Sequence, residues 1–208
     1  MRKLVANTFL TVDGVMQSPG GPGEDPSDGF DQGGWLPPYV DATFTEFVLD
    51  VHLRAEAVLF GRRSYQILAS HWPRVSNDDP FAAMLNTVPK YVASTTLQTV
   101  DWNNSTLLTG DIAAAVTELK RGPGGDILII GSGNLMQTLL QHDLIDVFHL
   151  LVLPVVLGRG KRLFAEGTVP AALALTNSRT SATGVVIHTY ERAGEVPHGS
   201  FLLDDQPD

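Results

Sequence analysis

The turn Gly131-Ser132-Gly133 contains residue types that could hold a phosphate group. It follows the apolar run 127–130 and precedes a segment whose apolar residues return at helical spacing. Glycines bring backbone close to a ligand, and the amides that open a helix attract anions. One interpretation is a phosphate-bearing cofactor. The other, which an isolated Gly-Ser-Gly favours, is that the glycines only permit a tight connection between strand and helix.

The standard dinucleotide-binding fingerprint is incomplete at this turn. Its third glycine would fall at Met136, and no acidic residue ends the next strand as a ribose acceptor. A standard Rossmann domain is therefore not expected. The continuous apolar run before the turn still suits a strand that is covered on both faces, as in a parallel sheet.

The few basic residues are worth locating because the chain is acidic. Arg62 and Arg63 follow Gly61, and Arg159 lies close to Lys161 and Arg162 in a second glycine-containing segment. The formal net charge of −9 argues against a general nucleic-acid surface, which requires clustered Lys and Arg. We therefore expect a small-molecule ligand and no nucleic-acid partner.

Composition and chain length favour one globular domain. The chain has 208 residues, of which 43% are hydrophobic and 18% are charged. It lacks an apolar run of about 20 residues that could span a bilayer and a recognisable signal peptide, so we expect a cytoplasmic protein without a membrane partner. Zero cysteines exclude thiolate zinc sites, and the six histidines show no close metal-ligand spacing, so no metal site is predicted.

Strand-like and helix-like segments alternate along most of the chain. This order predicts an α/β fold, a three-layer α/β/α sandwich whose central sheet is mostly parallel. The segments 173–180 and 184–191 alternate well enough to form two antiparallel strands that finish the sheet. We expect residues 1–192 to form a single domain and residues 193–208 to form a C-terminal tail.

A long segment, Gln17 to Pro38, is rich in Gly, Pro, Asp and Ser and has no sustained apolar period. Long loops in compact domains are usually functional or mobile. Phe30 and Trp35 could anchor this loop against a pocket. We expect it to act as a lid that covers a ligand and becomes ordered on ligand binding, while a disordered decoration is the alternative.

Four segments in a fixed order resemble the dihydrofolate-reductase-like fold, and most closely the reductase domain of the bifunctional riboflavin-pathway deaminase-reductase with its stand-alone relatives. The resemblance extends from about Lys3 to Arg192, and the His-x-Glu and Cys-x-x-Cys ligands of the zinc deaminase domain are absent. The four segments are Thr11-Val-Asp-Gly14, Leu59-Phe-Gly-Arg-Arg-Ser-Tyr65, Ile129-Ile-Gly-Ser-Gly133, and Pro154-Val-Val-Leu-Gly-Arg-Gly160 with Leu163-Phe164.

The resemblance implies NADPH as the cofactor and assigns residues to it. Arg62 would face the extra ribose phosphate, because a permanently charged, forked guanidinium suits phosphate geometry. Ser64 would lie beside the pyrophosphate, and the hydroxyls that end a strand at residues 94 and 95 would lie on the adenosine side. The full set of predicted cofactor residues is Gly61, Arg62, Arg63, Ser64, Ser94, Thr95, Gly131, Ser132 and Gly133.

Two carboxylates are candidates for the proton donor. Asp41 matches the position of the catalytic carboxylate near the first long helix of dihydrofolate reductases, and Asp13 matches the strand-ending Asp-Gly of the riboflavin-pathway relatives. Their alternatives are local: Asp41 could only cap a helix, and Asp13 could only form a turn. Trp35 and Arg159 are the substrate-binding candidates, Arg159 through a substrate phosphate.

The resemblance implies a reductase that transfers hydride to a pterin-like substrate or to an aminopyrimidine of the 5-amino-6-(5-phosphoribosylamino)uracil type. The alternative is a non-catalytic nucleotide- or pterin-binding protein on the same fold. A homodimer is also expected, from the resemblance and from the apolar strand 147–153, although burial inside one subunit would explain that apolarity equally well.

Overall fold

The computed structural model describes residues 1–201 of the chain. Eight strands form one sheet in the order β4-β3-β2-β5-β1-β6-β8-β7. All neighbouring pairs from β4 to β6 are parallel, whereas β8 is antiparallel to both β6 and β7. The strands are β1 (Leu4–Thr11), β2 (Ala57–Gly61), β3 (Lys90–Ala93), β4 (Ser105–Leu108), β5 (Ile127–Ile130), β6 (Val147–Leu153), β7 (Leu173–Thr180) and β8 (Val186–Arg192).

Helices cover both faces of the sheet and give the expected three layers. Apolar side chains of α1, α2 and α3 pack on one face, and those of α4 and α5 pack on the other. The helices are α1 (Ala42–Arg54), α2 (Arg62–Ala69), α3 (Pro80–Thr87), α4 (Ile112–Arg121) and α5 (Gly133–Gln141). The predicted fold class is confirmed, including the antiparallel end of the sheet. No helix within residues 1–201 is long and apolar enough to cross a membrane.

The start of α1 differs in detail from the sequence pattern. Thr43 and Glu46 have the spacing of a capping box, but Asp41 is the residue that caps the helix, and its carboxylate accepts a hydrogen bond from the Phe44 amide at 2.9 Å. The apolar face of this helix is buried, with Phe47 among its members. A cap of this type satisfies a backbone donor that has no partner inside the helix.

Strand β6 lies inside the sheet between β1 and β8, and its apolar residues are buried there. Burial within one subunit therefore explains the apolar run that suggested a dimer. The homodimer stays a prediction. A surface that could form a dimer contact is the edge strand β7, on which Leu175 is 53% exposed. The predicted tail, 193–208, lies partly outside the described residues.

Candidate functional site

A cleft of about 950 Å³ opens at the carboxyl ends of β2, β3 and β5 and runs along β1. Parallel strands present the turns that follow them at one edge of the sheet, and ligands of open α/β sheets bind at that edge. Every residue predicted to bind the cofactor lines this cleft: Gly61, Arg62, Arg63, Ser64, Ser94, Thr95, Gly131, Ser132 and Gly133. The tertiary structure thus brings together segments that are far apart in the sequence.

Two serines tie the turn after β2 to the turn after β5. The Ser132 amide donates to the Ser64 hydroxyl at 2.8 Å, and the Gly61 amide donates to the Ser132 hydroxyl at 2.8 Å. Ser132 also donates to the carbonyl of Ile130 at 2.9 Å. Both hydroxyls are thereby used to fix the backbone, so the two turns form one rigid unit, which we call the paired turns (61–64 and 131–133).

The backbone of the paired turns is left-handed at two adjacent positions. Gly131 has φ +58°, and Ser132 has φ +65°, which is uncommon for a residue with a side chain. A Cβ added at Gly131 would lie 2.9 Å from the Ser64 hydroxyl oxygen, closer than real contacts allow. Glycine is therefore required here by both conformation and space.

The paired turns have the features of an anion-binding site. Helices α2 and α5 both begin there, and the first amides of a helix have no partner within it. Among the described residues, the Arg62 guanidinium forms no hydrogen bond or ion pair, whereas Arg63 is bound to Asp25 and Ser27. Arg62 is thus the cation available to a bound phosphate.

Ser94 and Thr95 follow β3 and line the cleft at the same edge of the sheet. Ser94 is buried, and its hydroxyl accepts hydrogen bonds from the amides of Thr96 and Leu97 at 3.1 and 3.0 Å. The side chain therefore shapes the turn that borders the cleft. The two amides occupy the acceptor positions of this oxygen, so the hydroxyl can offer a ligand only its O–H as a donor.

The long loop forms the opposite wall of the cleft, as expected for a segment that covers a ligand. Gln17 is buried and organises it: its side-chain amide donates to the carbonyls of Asp25 and Ser27, and its oxygen accepts from the Lys161 amide. Asp25 also binds the Lys161 ammonium at 2.8 Å and the Arg63 guanidinium. These contacts join the loop to the paired turns through Arg63. Ordering of the loop on ligand binding stays a prediction.

Trp35 occupies a different place from the one expected of a substrate-binding residue. It is 7% exposed, belongs to the hydrophobic core beside α1, and does not line the cleft. Its indole N–H donates to the carbonyl of Gln17 at 2.9 Å. The loop is thus anchored by an aromatic residue, as predicted, but the anchor points into the protein, and its substrate role has no support in this geometry.

The two proposed proton donors also lie outside the cleft lining. Asp13 accepts hydrogen bonds from the Thr11 hydroxyl at 2.6 Å and from the amides of Leu157 and Gly158 at 3.2 and 2.8 Å. These bonds, that from Thr11 foremost, lower the pKa of Asp13 to about 2. A carboxyl that is ionised throughout the neutral range is a poor proton donor, so Asp13 braces a turn instead.

Asp41 has the local role that its alternative predicted. Besides capping α1, its carboxylate accepts from the Thr183 amide at 3.2 Å, and the hydrogen bond from Phe44 contributes most to lowering its pKa. The carboxylates that do line the cleft are Glu24, Asp25 and Asp28, all from the long loop. The sequence pattern gave no sign of these, because glycine-rich loops carry carboxylates for many reasons.

Arg159 lies on the surface, where it binds Asp31 at 2.6 Å and the carbonyl of Gly29. It does not line the cleft, so its predicted contact with a substrate phosphate has no support either. Lys161, two residues later, is the cation of this segment that lines the cleft.

Sequence reasoning also missed polar residues on regular elements. Asn7 on β1 is 4% exposed and lines the cleft, and its Oδ1 is buried without a hydrogen-bond partner among the described residues. It pairs in register with Ile130, immediately before the paired turns. His52 on α1 lines the cleft as well. Only their contacts distinguish them from ordinary strand and helix residues.

The fold and the cleft together define a protein of the dihydrofolate-reductase-like class with a site suited to a phosphorylated ligand. The profile of the RibD C-terminal domain matches residues 2–187, and the chain belongs to that family. It is 29% identical over 198 residues to the uncharacterized protein YyaP of Bacillus subtilis, covering 93% of this chain and 96% of that protein.

Solved structures show the same fold. A putative riboflavin biosynthesis protein from Shewanella sp. PV-4 is similar with a TM-score of 0.67 and 22% identity, over 93% of this chain and 99% of the other. The diaminohydroxyphosphoribosylaminopyrimidine deaminase/5-amino-6-(5-phosphoribosylamino)uracil reductase of Thermotoga maritima is similar with a TM-score of 0.60 and 13% identity, over 92% of this chain and 57% of that protein. At these identities the similarity concerns the fold.

Proposed function

We propose that the protein is an NADPH-dependent reductase that transfers hydride to a small pterin-like or aminopyrimidine substrate. The observation that carries the proposal is the pair of helix-opening turns, fixed to each other by Ser64 and Ser132, beside the guanidinium of Arg62, which has no partner within residues 1–201. Two helix N-termini attract a pyrophosphate, and a free arginine suits the additional phosphate of NADPH. When bound, NADPH supplies the hydride.

Residues of the cleft could bind both the phosphates and the carboxamide of NADPH. Arg62 would bind the ribose phosphate, and the amides that open α2 and α5 would bind the pyrophosphate. The side-chain oxygen of Asn7 is buried without a hydrogen-bond donor among the described residues, and the N–H of the nicotinamide carboxamide could donate to it. The hydrogen bonds of Ser64 and Ser132 hold the two turns, and with them the helix-opening amides, in place before the ligand binds, which reduces the entropy lost on binding.

The test is a calorimetric titration of NADPH and NADH into the wild type and into Arg62→Gln. A charge-assisted hydrogen bond contributes about 1.5–3 kcal/mol, so Arg62→Gln should weaken NADPH binding roughly 10-fold to 100-fold. NADH lacks the extra phosphate, and its affinity should change little. Arg159→Gln, which removes an exposed arginine outside the cleft lining, is the matched control. A wild type that binds neither nucleotide at millimolar concentration would overturn the proposal.

The second candidate is a non-catalytic nucleotide- or pterin-binding protein. One observation favours it: neither Asp13 nor Asp41 lines the cleft, so the expected proton donors are missing there. The absorbance of NADPH in the presence of candidate pterins and of the aminopyrimidine separates the two functions. Steady, substrate-dependent oxidation of NADPH establishes the reductase. Tight binding of NADPH without oxidation of any candidate favours the binding protein.

A further inference from the structure

The part of the cleft away from the paired turns is apolar and aromatic. Helices α1, α2 and α3 and the short 3-10 turn Trp72–Arg74 line it. The centroid of the Phe81 ring lies 5.2 Å from that of the His52 ring and 6.3 Å from that of the Trp72 ring. We call this surface the aromatic wall, which comprises Val48, His52, Leu68, Trp72, Phe81 and Leu85. Such a surface favours a flat, apolar ring over a charged group.

The charges of the cleft leave no cation for a second phosphate. Three basic side chains line it, and two of them, Arg63 and Lys161, are bound to Asp25. Glu24 lines the same loop side and accepts from the amides of Gly20 and Gly21, so its charge also stays in the site. Of these three, Arg62 at the paired turns is the one that forms no ion pair with any of residues 1–201. A phosphate against the aromatic wall would therefore be buried without a counter-charge, which is costly.

His52 is the polar member of the aromatic wall, and its hydrogen bond fixes its tautomer. Nδ1 lies 2.7 Å from the carbonyl oxygen of Val48, and because a carbonyl can only accept, Nδ1 carries the proton. Burial lowers the pKa of His52 to about 4, so the ring is neutral near pH 7. Nε2 is then an acceptor, and no described residue donates to it. The wall thus presents one acceptor to a ligand.

We propose that the acceptor substrate is an unphosphorylated, uncharged planar heterocycle that stacks on the aromatic wall and donates an N–H to Nε2 of His52. The inference rests on the proposed function in one respect, since the cofactor is taken to occupy Arg62. The proposal favours a pterin-like substrate or an aminopyrimidine without phosphate over a phosphoribosylated aminopyrimidine, because a phosphoribosyl group would need a cation that the cleft does not offer. His52 is accordingly a specificity-determining residue.

The first experiment compares two ligands that differ only by a phosphate. The aminopyrimidine 5-amino-6-ribosylaminouracil and its 5′-phosphate, together with unsubstituted pterin, are titrated calorimetrically into the protein saturated with NADP⁺. The unphosphorylated aminopyrimidine should bind at least tenfold more tightly than its phosphate ester. Equal or tighter binding of the ester overturns the inference, and so does failure of all three probes to bind. Failure of NADP⁺ itself to bind overturns the proposed function instead.

The second experiment tests His52 with the unphosphorylated probe that binds best. His52→Leu keeps an apolar side chain in the wall but removes the acceptor, so probe affinity should fall about fivefold to tenfold while NADP⁺ affinity is unchanged. His52→Gln retains an acceptor and should recover part of the loss. His142→Leu, which replaces an exposed histidine after α5, is the control. Unchanged probe affinity in His52→Leu, or the same loss in the glutamine variant, contradicts the assigned hydrogen bond.

Discussion

Replacing Gly131 with alanine tests the coupling between the paired turns, because two effects of the substitution can be separated. The first is backbone strain: φ is +58° at this position, and a left-handed conformation costs an L-residue about 1–2 kcal/mol. The second is steric, since the new Cβ would lie 2.9 Å from the Ser64 oxygen and displace it from the Ser132 amide. Loss of that hydrogen bond costs about 0.5–1.5 kcal/mol.

Gly110→Ala is the matched control for the first effect. Gly110 has φ +74°, and no atom lies within 4 Å of a Cβ added there, so it carries the strain without the steric conflict. Urea unfolding should show a loss of about 1–2 kcal/mol in the control and about 1.5–3.5 kcal/mol in Gly131→Ala. The NADPH dissociation constant should rise at least tenfold in Gly131→Ala and stay unchanged in the control. Equal stability losses together with equal NADPH affinities in the two variants would refute the coupling.

Three further predictions concern the loop, the pH dependence and the assembly. Asp25→Asn removes the charge that holds two cationic partners, so amide exchange should accelerate in the long loop, whereas Asp31→Asn, at an exposed ion pair, should not change it. The pKa of His52 is about 4 when folded and 6.5 when free, so the unfolded chain binds the proton more readily and stability is lost as pH falls. The titration of His52 should lower the free energy of unfolding by about 2 kcal/mol between pH 7 and pH 5. If the free energy of unfolding of His52→Leu falls with pH as steeply as that of the wild type, the contribution of His52 is contradicted. We also propose a homodimer: light scattering should give the mass of two chains, Leu175→Lys on the edge strand β7 should give one, and a wild type with the mass of one chain would exclude the dimer.

Local sequence patterns predicted most of the fold. The apolar run 127–130, followed by Gly131, predicted a strand, a turn and a helix, and the structure has β5, the turn and α5 there. The antiparallel end of the sheet followed from alternation in 173–180 and 184–191. These features are local, because side-chain period and turn chemistry depend on neighbours within a few residues.

Local sequence patterns predicted only part of the site. The glycines and the arginine of the paired turns were identified from their types, since few residues can occupy such turns or bind phosphate. The functions of the carboxylates could not be identified. Asp13 braces a loop whose amides lie 144 and 145 residues further along the chain, and those contacts, absent from any local pattern, add to the hydrogen bond from Thr11 that lowers the pKa of its carboxyl.

By itself the sequence determined which segments form strands and helices and which turns can approach a phosphate, because glycine, proline and apolar periodicity act over a few residues. Only the tertiary structure decided what those turns do together. The serine at 64 meets the serine at 132 because β2 and β5 are neighbours in the sheet, and a buried oxygen on Asn7 and a fixed acceptor on His52 arise from packing. A hydrogen bond or a pKa depends on which groups lie within a few ångströms, and folding brings most of those groups from distant parts of the chain.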